Sequence, residues 1–311
     1  MTFAARGILV SLAFFAVVYC LVSSLVVLVW EGIRRIGWRP SSSSANLLFG
    51  LRILPFAISL GVSVFFTFPS FWLLERTSLD EDTGTFVLGL CSLLILGVGL
   101  VRVLLAEART TRAVTRWRLS ASSSEGGVIR PTIKASDGAP PLILVGIRRP
   151  NVMISDMAAT VLSDDELLAA VRHELGHMRS WDNLKKASIS ATPFPGMSSL
   201  ERAWREAAEL AADDSAVTNR QEALDLAAAL IKLSRFSRQW AEPALATGLV
   251  TGSSSIGVRL ERLIQWQVAS RRLQRTWPWT IFVLSTMIAG IVGNYGVALV
   301  ITHRLTELLV P

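Results

Sequence analysis

Four long apolar runs constrain this chain more than any other feature. Residues 8–30 carry no charge and are long enough to cross a hydrocarbon core as one helix. Residues 53–74, 86–105 and 278–302 form the other three. Inside a bilayer the backbone must satisfy its own hydrogen bonds, and runs of this length predict helices. Hydrophobic residues make up 51% of the chain and charged residues 18%, the balance of a membrane protein. The first run is too long for the core of a signal peptide, and no A-x-A-like cleavage site follows it. Pro55 and Pro69 predict bends or frays near the ends of the second run. Arg102 sits near one end of the third, where it can snorkel. In the fourth, Asn294 with Gly290, Gly293 and Gly296 predicts close packing against neighbouring helices.

Loop charge predicts the orientation. Arg34, Arg35 and Arg39 follow the first run, whereas Arg76 after the second is offset by Asp80, Glu81 and Asp82. Arg109, Arg112, Arg116 and Arg118 follow the third, and Arg271, Arg272 and Arg275 precede the fourth. The positive-inside rule then places the first loop and residues 107–277 in the cytoplasm, with both termini external. The net charge of +7 is explained by arginine beside membrane ends, where anionic lipid attracts it. There is no recognition helix or basic patch that would suit nucleic acid. Residues 107–119 fit either a helix lying on the bilayer or a straight extension of the third span. Cys20 and Cys91 fall within apolar runs and read as small buried hydrophobes, not as a disulfide or a metal-ligand pair.

The chemistry concentrates between the third and fourth runs. His173-Glu174-Leu175-Gly176-His177 holds two of the three histidines, four apart on a predicted helix, so both imidazoles can face one ion. Glu174 is placed to serve as a general base without binding the metal. The helix should start at the N-cap Ser163, with Glu166 completing a capping box. A three-ligand site needs one more donor, and the Ala/Glu-rich helix over 204–214 supplies Glu209, with Asp213 one turn later to accept an imidazole N–H. Glu206 is the competing ligand, but Leu210 stands where its orienting carboxylate would be. One Zn2+ per chain is the expected cofactor, held by His173, His177 and Glu209. Arg202 and Arg205 are the candidate partners for a developing oxyanion. Two short β-prone runs, 142–145 and 152–154, precede the helix and either buttress it or present an edge to an extended peptide. Residues 120–127 read as a Ser/Gly linker, 187–200 as a loop or re-entrant stretch, and 224–236 as a further amphipathic helix.

These residues resemble a known family. His173 through Leu184 is similar to the H-E-L-x-H-x-x-x-x-D-N-L block of the BlaR/MecR-type membrane metallopeptidases, gluzincins of metallopeptidase family fifty-six. Glu209 through Val217 resembles their E-L-x-x-D-x-x-A-V block, Gly146 through Ser155 their G-x-x-x-P-x-V/I strand, and Val258 through Ile264 their R-I-x-R-L segment. The likeness spans about residues 130–265, and the HtpX/CAAX-type gluzincins share it more loosely. It implies a mainly α membrane protein with about four transmembrane helices and a cytoplasmic α+β zinc metallopeptidase domain between helices three and four. The expected divisions are a membrane region at 1–106, the peptidase domain at 107–277, and the last helix with a short external tail at 278–311. The implied activity is endoproteolysis of a cytoplasmic or membrane-associated protein in regulated signalling, with a regulatory partner in the membrane or cytoplasm. A non-catalytic scaffold with a structural zinc site is the other reading. The sensors of this family carry a large penicillin-binding domain after their last helix, whereas only residues 303–311 follow the last run here.

Overall fold

A computed structural model describes residues 2–75, 83–119, 132–135, 140–147, 150–235, 245–248, 256–266 and 293–309. The 120–127 linker and most of the fourth apolar run lie outside the described residues. Among the described residues the protein is mainly α-helical, with three helices long and apolar enough to cross a membrane and one small sheet. The first is α1 (Phe3–Arg35). The second comprises a single 3₁₀ turn (Ser42–Ser44), α2 (Ala45–Val62), a π turn (Ser63–Thr67) and α3 (Phe68–Leu74). The third is α4 (Thr83–Leu119), unbroken well past its apolar part, so 107–119 extends the third span. Side chains such as Leu28 (70% exposed), Leu94 (59%) and Phe65 (64%) point outward along these helices, as lipid-facing residues would.

The chain divides into two compact units. One takes in Met1–Gly32, Ile53–Val98 and Ser270–Pro311. Within it the irregularity of the second span falls at Pro69 and not at Pro55, through which α2 runs as helix. Proline has no N–H to return to the residue four before it, which leaves the Phe65 carbonyl open. The Tyr295 hydroxyl, on α11 (Tyr295–Leu309), donates to that carbonyl at 2.7 Å. Two expectations need correction. Among the described residues nothing lies within 4 Å of where a Cβ would sit on Gly293 or Gly296, so neither marks close packing there, and Gly290 lies outside the described residues. Gly7 does, because its Cβ would meet the Phe71 ring at 2.9 Å. Cys20 and Cys91 are exposed on their helices, since the apolar runs turn side chains outward as well as inward.

The other unit comprises Ile33–Arg52 and Gly99–Ala269, so it begins in the last turn of α1. Its sheet has the order β1-β3-β2-β4, from β1 (Thr132–Ala135), β2 (Leu142–Val145), β3 (Asn151–Ser155) and β4 (Ala246–Gly248). Strands β2 and β3 match the two predicted runs; β1 pairs with β3 in parallel and β4 with β2 antiparallel. After α5 (Asp156–Val161) comes α6 (Asp164–Arg179), capped by Ser163 and Glu166 in the reciprocal box the sequence predicts. Residues 187–200 are not one loop. Their first part completes α7 (Asp182–Ala191), a turn holding Pro193, Pro195 and Gly196 follows, and α8 (Ser198–Ala216) begins at the end. The core is closed by α9 (Arg220–Ser234) and α10 (Ile256–Ile264), with Leu142, Val152, Val171, Leu226, Leu230 and Leu263 all buried.

Candidate metal centre

Helices α6 and α8 lie against each other because Gly176 has no side chain. A Cβ there would stand 3.2 Å from the Ala212 Cα and run into the Ser215 hydroxyl. That approach brings three ligands from two helices to one point. Nε2 of His173 and Nε2 of His177 are 3.1 Å apart, and they lie 3.5 Å from Oε2 and Oε1 of Glu209 respectively. The three ligand atoms lie within 4.8 Å of one another, and all three residues are buried. A group of this geometry could hold a metal ion. Glu206 is only half-buried and lies outside the cluster, as the argument from Leu210 predicts.

Each imidazole has its own carboxylate behind it. Asp213 Oδ1 is 2.9 Å from His173 Nδ1, although the contact is bent from a linear hydrogen bond. Asp182 Oδ2 is 2.6 Å from His177 Nδ1 and accepts a hydrogen bond from it. Asp213 holds the place the sequence predicts; the role of Asp182 was not legible. It depends on Trp181, whose left-handed backbone (φ 57°) turns the chain sharply between α6 and α7 and sends Asp182 back under the helix. For a bulky residue that conformation costs about 1–2 kcal/mol, which the surrounding contacts must offset. Asn183 supplies one of them, donating to the Leu144 and Gly146 carbonyls at 3.3 and 3.1 Å at the end of β2.

The residue most plainly missed is Arg259 on α10, of which 1% is exposed. Its Nε and one terminal nitrogen grip both oxygens of Asp213, at 2.8 and 2.7 Å, and the other terminal nitrogen reaches Glu209 at 2.9 Å. It therefore fixes the third ligand and the carboxylate behind His173 with one planar fork. Arg202 and Arg205, the arginines expected near the reacting atoms, are exposed on the outer side of α8. Arg205 donates to the Glu201 carbonyl of its own helix.

The electrostatics favour a cation. Burial works against charge on every member, but Arg259 outweighs it at Asp213, held down at about 2, and at Glu209, held well below the carboxylate range. Burial likewise opposes charge on His177, yet Glu209 and the Asp182 hydrogen bond raise it to about 10. Protons or a metal ion can meet that demand for positive charge, and convergent ring nitrogens suit the ion. Glu174 differs from its neighbours. Burial pushes its carboxyl up to about 7, it has no measurable exposure, and neither oxygen has a hydrogen-bond partner among the described residues. Buried carboxylates without partners are rare, and this one neighbours the ligand cluster. No protein-family model matches this chain, and comparison with curated proteins finds no match.

Proposed function

We propose that the protein is a membrane-embedded zinc endopeptidase that cuts a cytoplasmic or membrane-associated protein, in the manner the BlaR/MecR resemblance implies. The observation that carries this reading is the partnerless Glu174 carboxylate beside three converging ligands. The two ring nitrogens, 3.1 Å apart, and the Glu209 carboxylate, one oxygen 3.5 Å from each ring nitrogen, converge closely enough that one ion would reach all three residues. His173, His177 and Glu209 would hold the ion, leaving a fourth position, as catalytic sites do.

The ion, when bound, supplies Lewis acidity and lowers the pKa of water. The remaining steps belong to the chain. Glu174, raised toward neutrality, takes a proton from the attacking water and passes it to the leaving amine. Asp182 holds the His177 ring in one tautomer, and Asp213 does so for His173. Arg259 keeps Glu209 and Asp213 ionised and fixed in place. The apolar helices support a membrane setting, so the substrate is a protein or peptide that approaches at or near a bilayer.

The test is metal analysis paired with a trapping variant. Purified full-length protein should contain about one zinc per chain, and His173→Ala, His177→Ala or Glu209→Ala should each remove most of it. Glu174→Gln should keep the zinc and lose proteolysis, retaining its substrate on purification from native membranes. Zinc unchanged by His173→Ala would end the proposal, and an active Glu174→Gln protein would overturn Glu174 as the general base.

A further inference from the structure

We propose that Arg52, a residue of the second membrane helix, is a positioning residue for the metal centre. The inference rests on the metal-centre reading above and extends it to the membrane helix. Arg52 is charged, 2% exposed, and stands immediately before the apolar stretch of α2. Its neighbours on the same face, Ser44, Ala45 and Leu48, are buried too, so the start of α2 packs within the compact unit that holds the metal cluster.

Four acceptors surround the guanidinium. One terminal nitrogen donates to the carbonyls of Ile189 and Thr192 at 3.2 and 2.7 Å, and the other to the Thr192 hydroxyl at 3.1 Å. Nε donates to Glu201 at 2.9 Å. The first three are acceptors at the C-terminal end of α7, where helical carbonyls lack partners and a cation is favoured. Glu201 lies in the first turn of α8. Arg52 therefore joins the end of one helix to the start of the next across the turn at 192–197, which contains two prolines and a glycine with φ 84°.

Those two helices carry the groups that must meet at the metal. The first residue of α7 is Asp182, which holds His177. Eight residues past Glu201 on α8 lies Glu209, about 12 Å along the axis. Helices are stiff over that distance, so the angle between α7 and α8 sets whether Asp182 and Glu209 serve the same point. Arg52 is the bond that fixes the angle at its open end. Lys185 on α7, which donates to Asn46 at 2.9 Å and lies over the Phe49 ring, ties the same stretch of α2 down beside it. α2 continues past Arg52 through Val62, and Arg52 itself touches no ligand.

The experiment uses full-length protein in detergent and Co2+ as the probe, whose visible absorption reports ligand geometry. Arg52→Met, which keeps the length and removes the donors, should weaken Co2+ binding at least about tenfold and alter the absorption, with helical content unchanged; that is the loss typical when a group supporting the ligands is removed. Arg52→Lys should fail to rescue, because one ammonium cannot serve four acceptors. If Arg52→Met does not fold, Glu201→Gln carries the same test and should weaken binding several-fold. Wild-type affinity and spectrum in folded Arg52→Met or in Glu201→Gln would overturn the role of Arg52. Binding equally strong in His173→Ala would instead overturn the metal-centre reading, and this inference with it.

Discussion

The polar groups buried in the two compact units are of different kinds. Among the described membrane helices they are hydroxyls, several of which donate to their own chain within a turn, as Ser59 does to Pro55, Ser70 to Thr67 and Thr306 to Thr302 at 2.7–2.9 Å, while Ser92 donates to the Leu12 carbonyl of another helix. Around the metal cluster they are charged groups that reach across long stretches of chain, with Arg259 gripping carboxylates 46 and 50 positions away and Arg52 reaching 137 to 149 positions. A hydroxyl bonded to its own backbone can be lost with little consequence. A buried charge cannot, because its partner is left uncompensated. The first unit thus relies on packing and the second on paired charge, and substitutions should separate them.

The sharpest test is Arg259→Met. It leaves Asp213 and Glu209 buried without their cation, and thermal unfolding of metal-free protein should show a loss of about 3–5 kcal/mol. A loss below about 1 kcal/mol would mean that the charge network does not hold the unit together. Asp182→Ala comes next. Metal titration should show affinity falling by about 10–100-fold with the fold intact, the behaviour of a group that orients a ligand. Unchanged affinity would leave the 2.6 Å contact to His177 without consequence.

In the other unit, Tyr295→Phe removes the donor to the Phe65 carbonyl and nothing else. Its expected cost is roughly 0.6–1 kcal/mol, read as a small drop in unfolding temperature in detergent. An effect as large as that of Arg259 would erase the contrast between the units. The smallest effect is expected at Glu222, whose carboxyl is held at about 2, chiefly by the Thr218 hydroxyl and further by the Thr218 N–H and Arg172. A depressed carboxyl stabilises the fold above its ordinary value of 4.5, and that stability is lost as pH falls through about 2. Glu222→Gln should therefore be less stable than wild type at pH 6, by no more than about 1 kcal/mol at so exposed a pair. The difference should shrink as the pH approaches 2, and a difference constant with pH would assign it to packing.

The sequence by itself determined what local periodicity and spacing encode. The apolar runs mark three helices able to cross a membrane. The capping box at Ser163 and Glu166, the two histidines on one face of α6, and Glu209 four before Asp213 on α8 are all relations within one or two turns of a helix. Strands β2 and β3 were readable from their β-branched runs, whereas β1 and β4, at the edges, carry little pattern of their own. Only the tertiary structure decided the rest. It placed Asp182 on His177, which requires a left-handed turn at a tryptophan that no propensity favours. It made Gly176 the point where α6 and α8 touch, chose Arg259 over Arg202 and Arg205, and set Arg52 across the ends of α7 and α8. Each of these contacts joins residues whose separation along the chain says nothing of their distance in space. Their energy comes from burial, and burial exists only once the helices have packed.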